Sequence, residues 1–67
     1  MRWYYALDGA PAYYQSGRFL YPSDTDRPIY YLSGPDCCSM DGTSAYRVRD
    51  DCLYTLDGAP AYFGRDS

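Results

Sequence analysis

The chain contains no histidine, no lysine and no glutamate: its nine acids are all Asp and its six basic residues are all Arg. Without His or Lys the usual general bases are missing, so a Ser or Cys nucleophile has no side chain to activate it. Without Glu and Lys, and with Tyr, Asp, Gly and Pro abundant, a helical bundle is disfavoured. No apolar run approaches the roughly 18 residues of a membrane-spanning helix, and no membrane partner is expected. Met1-Arg2 leads straight into Trp3-Tyr4-Tyr5 and then Asp8-Gly9, so the apolar stretch of a secretory signal is not expected either. A formal net charge of −3 lacks the basic footprint of a nucleic-acid binder. With 67 residues the expectation is one domain, residues 1–67. A chain this size buries only roughly 60% of its extended surface on folding, so its stability is marginal.

What the chain does have is tyrosine, ten in all, and a repeat. The run Tyr4-Tyr5-Ala6-Leu7-Asp8-Gly9-Ala10-Pro11-Ala12-Tyr13-Tyr14 returns as Leu53-Tyr54-Thr55-Leu56-Asp57-Gly58-Ala59-Pro60-Ala61-Tyr62-Phe63. Leu-Asp-Gly-Ala-Pro-Ala-Tyr is identical in both. Two weaker copies lie between them, over 20–31 with one inserted residue and over 37–47 with Ser44 in place of the proline. Tyr5, Tyr21, Cys38 and Tyr54 align at steps of 16, 17 and 16 residues, which divides the chain into units of about 2–17, 18–34, 35–50 and 51–67.

Each unit reads as a β-hairpin. A short aromatic run enters, for example Phe19-Leu20-Tyr21, and such residues fit the pleated surface of a strand. A turn follows at Asp8-Gly9, Asp41-Gly42 and Asp57-Gly58, where Gly supplies the positive φ of a tight hairpin. Asp24 occupies the same place in the second unit. A second run then returns, such as Ala12-Tyr13-Tyr14. An isolated hairpin is marginal, but four arranged in a ring share a core and remove exposed edges. The pattern predicts an all-β, closed or nearly closed meander of about eight short antiparallel strands with pseudo-four-fold symmetry. Its first and last units lie side by side; the alternative is an open flat sheet. Alternation along the strands places Tyr4, Leu20, Cys37 and Leu53 inside. It also directs the small returning residues Ala12, Ile29, Ala45 and Ala61 to the axis, and leaves Tyr13, Tyr30, Tyr46 and Tyr62 on the other face with Tyr5, Tyr21 and Tyr54.

The unit aromatic–x–x–Asp-Gly–x–Pro–x–Tyr-Tyr is carried by 5–14, 21–31, 40–46 and 54–63. Repeated four times, it resembles the small bacterial four-fold beta flower proteins. That resemblance implies a fold and no activity. Trp3-Tyr4-Tyr5 is more faintly similar to the aromatic hairpins of choline-binding cell-wall repeats, which are longer and richer in tryptophan.

The chemistry of the remaining residues points away from catalysis. Asp36, Asp50 and Asp51 stand beside Cys37, Cys38 and Cys52, and their charge raises a thiol's pKa. Cys37 and Cys38 replace Tyr4 and Tyr5 as small core residues. With no signal sequence, three free thiols in a reducing cytoplasm are the simplest arrangement. A Cys-Cys pair with one distant Cys is not a zinc spacing. The repeated Asp residues are explained by turn chemistry, so no metal or cofactor is expected. Nor does so small a chain offer a deep cleft to split the pKa values of a carboxylate pair. Tyrosine, by contrast, gives rigid contact area at low entropic cost. The expected function is a non-catalytic module with a tyrosine-rich surface for protein–protein interaction or self-association. Trp3, Tyr5, Tyr21, Tyr30, Arg47 and Tyr54 are its candidate binding residues. Arg47 stands where the other copies have an aromatic. The second class of partner is a carbohydrate stacked on exposed rings.

Overall fold

Alternating aromatic runs and turn residues produce eight strands in the computed structural model, which describes residues 1–66. Ser67, the last residue of the fourth expected unit, lies outside the described residues. The strands are β1 (Arg2–Ala6), β2 (Pro11–Ser16), β3 (Phe19–Pro22), β4 (Tyr30–Ser33), β5 (Asp36–Ser39), β6 (Ser44–Arg49), β7 (Cys52–Tyr54) and β8 (Pro60–Asp66). Each pairs antiparallel with the next, and β1 pairs with β8, so the meander closes into a barrel. Among the described residues no strand edge is left open, which suits a chain with so many β-prone aromatics.

Three hairpins turn in the same way. The Gly9 N–H donates to the Ala6 carbonyl at 2.9 Å and the Ala6 N–H to the Ala10 carbonyl at 2.8 Å. The pattern repeats at Ser39–Thr43 and Thr55–Ala59. This is the three-residue hairpin loop in which the last loop residue is left-handed. Gly9, Gly42 and Gly58 accordingly have φ of 93°, 93° and 96°. The Asp carboxylate braces each loop: Asp8 Oδ1 accepts the Ala10 N–H and Asp41 Oδ1 the Thr43 N–H, both at 3.0 Å. In the second unit, which has no glycine in its turn, the role expected of Asp24 passes to Thr25. Its Oγ1 accepts the Arg27 N–H at 2.8 Å.

The entering strands meet expectation. Tyr4, Leu20, Cys37 and Leu53 form the buried core. The returning strands do not. Ala12, Ile29, Ala45 and Ala61 are not at the axis, and Ile29 is 37% exposed. Tyr13, Tyr30, Tyr46 and Tyr62 pack on the core instead. The cause is a β-bulge. Tyr4 faces Tyr13 while Tyr5 faces Pro11, so Ala12 has no cross-strand partner. Ala45 and Ala61 are skipped in the same way. One extra residue shifts the alternation by one, which moves each tyrosine to the core side. In the second unit Leu20 likewise faces Tyr30.

The four tyrosines make a ring across one end of the barrel. Consecutive centroids (Tyr13–Tyr30, Tyr30–Tyr46, Tyr46–Tyr62, Tyr62–Tyr13) are 5.2–5.7 Å apart with planes at 78–81°. Edge-to-face pairs place the positive ring edge on the negative face, worth about 0.5–1.5 kcal/mol each beyond burial. Burial raises the pKa of Tyr13, and pushes that of Tyr46 up to about 12.

Two residues further along the returning strands, Gln15, Leu32, Val48 and Gly64 occupy equivalent places. Leu32 and Val48 add to the core. In the first and fourth units the places are used differently, because Tyr4 is far larger than Leu20, Cys37 or Leu53. Gly64 faces Tyr4 across the β1–β8 seam and leaves its ring room. The Tyr4 hydroxyl donates to Gln15 Oε1 at 3.2 Å. Arg2, two residues before Tyr4 on the same side of β1, fastens the seam at 2.8 Å from Asp51 and 3.1 Å from Asp66.

Candidate functional site

Tyr30 faces Leu20 and packs on the core, which removes it from the outer wall, so the expected binding residues divide into groups. Tyr30 belongs to the tyrosine ring. Trp3, Tyr5, Tyr21, Arg47 and Tyr54 lie on the outer wall, because each alternates with a core residue on its strand.

Around β8, β1, β2 and β3 the outer wall is aromatic, and the rings are engaged with one another. Tyr5 stacks on Phe63 with centroids 5.7 Å apart and planes at 23°. Tyr14 stacks on Tyr21 at 5.0 Å and 8°, and Trp3 leans on Tyr14 at 46°. Centroids 5.0 Å apart in near-parallel planes mean that each ring covers part of its neighbour's face. The result is a cross-strand ladder that stiffens thin sheets and not a coplanar platform. The Tyr14 hydroxyl also donates to the Thr25 carbonyl at 3.2 Å, tying down the second loop.

Around β6 and β7 the wall differs. Arg47 faces Tyr54 directly across the ladder, and Arg49 follows two residues on, on the same side. These three residues, with Thr55, Leu56 and Gly58 from the fourth hairpin tip, line a groove of about 130 Å³. Arg47 and Arg49 are exposed. Among the described residues only Arg2 has a carboxylate within ion-pair distance. Asp36, opposite Arg47 on β5, makes no such pair. The groove therefore joins two uncompensated guanidinium groups to an aromatic wall and an apolar lip. A guanidinium presents a planar fork of donors that matches a carboxylate with two parallel hydrogen bonds. Tyr54 and Leu56 offer contact to an apolar neighbour of that carboxylate.

The sequence points to Arg47 and Tyr54 as binding residues and to Arg49, with Arg18 and Arg27, as a further interface arginine, but not to Thr55 or Leu56. Arg47 was visible as a break in the repeat. Arg49 shares its outward alternation, a signal available once the bulge at Ala45 is known.

Cys37 and Cys38 lie away from this groove, whereas Cys52 faces Arg49 across the β6–β7 ladder. Cys37 is in the core, and burial pushes its pKa up to about 12. Cys38 is buried beneath the opposite alternation, facing Tyr31. Cys52 is half-buried on β7, two strands from Cys37.

The chain matches no protein-family profile, no curated protein and no solved structure.

Proposed function

We propose that this barrel is a non-catalytic recognition module that binds an acidic, partly apolar segment of a protein in the groove between β6 and β7. The supporting observation is the pair of unpaired arginines, Arg47 and Arg49, set beside Tyr54 and Leu56 in a chain of net negative charge. Arg and Tyr, with Trp, are the residue types enriched among the hot spots of protein interfaces, where binding of the partner desolvates them. The closed barrel supplies the rigid support such anchors need. A thiol held near pKa 12 and the lack of His and Lys argue against nucleophilic chemistry. The mutual stacking of Trp3, Tyr14 and Tyr21 argues against a sugar platform, because ring faces that cover one another are not offered to a sugar.

The test is selection from a random peptide display library against the immobilised chain. The expected result is enrichment of Asp or Glu next to Leu, Ile or Phe. Binding of a selected peptide falls at least ten-fold in Arg47→Ala and again in Arg49→Ala, with both variants retaining the wild-type circular dichroism spectrum. Selected peptides without acids, or binding indifferent to both substitutions, would overturn the assignment.

A further inference from the structure

The hairpin tips themselves carry the chemistry that the groove accepts. Leu7-Asp8, Met40-Asp41 and Leu56-Asp57 stand at equivalent turn positions. In each, a large apolar side chain is exposed next to a carboxylate; Leu7 is 63% exposed. Scattered apolar exposure is ordinary, but three equivalent tips each pairing an exposed apolar residue with an acid form a pattern.

The three tips are not equally available. Leu56 already belongs to the wall of the groove. Asp41 is engaged twice: its Oδ1 accepts the Ser39 hydroxyl at 2.5 Å and the Thr43 N–H at 3.0 Å. Asp57 likewise accepts the Thr55 hydroxyl. In the first unit the corresponding residue is Ala6, which has no hydroxyl to give, so Asp8 accepts only the Ala10 N–H. All of these contacts fall on Oδ1, so each of the three carboxylates keeps its second oxygen for a guanidinium, and Asp8 is the least engaged of them. Leu7 is also the most exposed of the three apolar tip residues.

We infer that the occupant of the groove is the Leu7-Asp8-Gly9 tip of a second copy of this chain. This inference rests on the recognition function proposed above and names its partner. The charge argument favours a copy: the groove is cationic, while most of the molecule's acids stand in exposed turns. Tip and groove are different patches, so the contact is head-to-tail and does not close on itself as a two-fold dimer would. It builds short chains or a ring. A three-residue tip buries far less than the roughly 1,200 Å² of a stable interface, so the association is weak and rises with concentration. Opposite charges at an exposed contact are screened by salt.

The experiment is sedimentation equilibrium on the intact chain, up to millimolar concentration, in low and high salt. The expected weight-average mass starts at the monomer's 7.7 kDa and at least doubles with concentration in low salt, but not in high salt. Asp8→Asn, in a tip that retains its Ala10 contact through the amide oxygen, abolishes the rise. So does Arg47→Ala. Mixing the two variants restores association that stops at a heterodimer, since one brings an intact groove and the other an intact tip. A strict monomer throughout overturns the inference. So does a mixture that stays monomeric, or association unaffected by either substitution. If the chain is monomeric yet a selected acidic peptide still binds through Arg47, the self-association fails while the recognition function stands. If neither is seen, both fall.

Discussion

Replacing Gly64 by alanine isolates the packing of the seam. Gly64 does not have a positive φ, so alanine there carries no left-handed strain. The penalty is steric alone. A Cβ at 64 would overlap the Asp51 carbonyl oxygen and approach Tyr4 Cε1 to 3.1 Å. The first contact is with backbone, which cannot rotate away as a side-chain end can. Asp51 is itself held in a turn at φ 65° and by its ion pair with Arg2. Tyr4 is fixed by burial, being only 2% exposed. Overpacking of this kind costs about 1–3 kcal/mol. Because a carbonyl must move, Gly64→Ala belongs near the top of that range, at about 3 kcal/mol. For a domain of this size each kcal/mol shifts Tm by about 4–8 °C, so the fall is roughly 12–24 °C. Urea and thermal unfolding followed by circular dichroism measure it. Gly9→Ala is the control: nothing lies within 4 Å of its Cβ, so only its φ of 93° is penalised, at about 1 kcal/mol. Gly64→Ala within about 0.5 kcal/mol of wild type, or less damaging than Gly9→Ala, would refute the description of the seam.

The tyrosine ring makes the fold sensitive to alkali. Tyr4, Tyr13 and Tyr46 are raised above 10 chiefly by burial, and Tyr46 stands at about 12. Above pH 10 the unfolded chain releases protons that the folded chain retains, so stability is intact below pH 10 and falls as pH rises towards 12. Cooperative unfolding in that window, followed by circular dichroism and phenolate absorbance, is expected. It moves to higher pH in Tyr46→Phe, and an unchanged midpoint would count against the ring's part in it. The turn between β6 and β7 holds Asp50 and Asp51 at φ 53° and 65°, two adjacent non-glycine residues in the left-handed region. Asp50→Gly relieves strain without touching the Arg2 ion pair and gains about 0.5 kcal/mol in urea denaturation, whereas Asp51→Gly loses that pair and gains less. Equal gains at both positions would show that the ion pair contributes nothing.

Some of this molecule is written locally and some is not. Asp-Gly at three equivalent places specifies three hairpin turns, because positive φ is a property of the residue at that site and needs no distant partner. Four units of nearly equal length imply closure, since an open meander leaves tyrosine-rich edges. The identity of the entering core residues follows from strand alternation alone. Which side the returning tyrosines face does not. A bulge at Ala12, Ala45 or Ala61 depends on how the three-residue turn hands its register to the next strand, and one extra residue inverts the outcome.

The grouping of candidate residues is non-local in the same sense. Arg47 was conspicuous as a departure from the repeat, but its meeting with Tyr54, Arg49 and Leu56 depends on the register of β6 against β7 and on how the fourth tip leans. The repeat and its turns are matters of backbone preference, decided residue by residue. The inward ring, the glycine that yields to Tyr4 and the two unpaired guanidinium groups in one groove arise from neighbours far apart in the chain. Only closing the barrel brings them together.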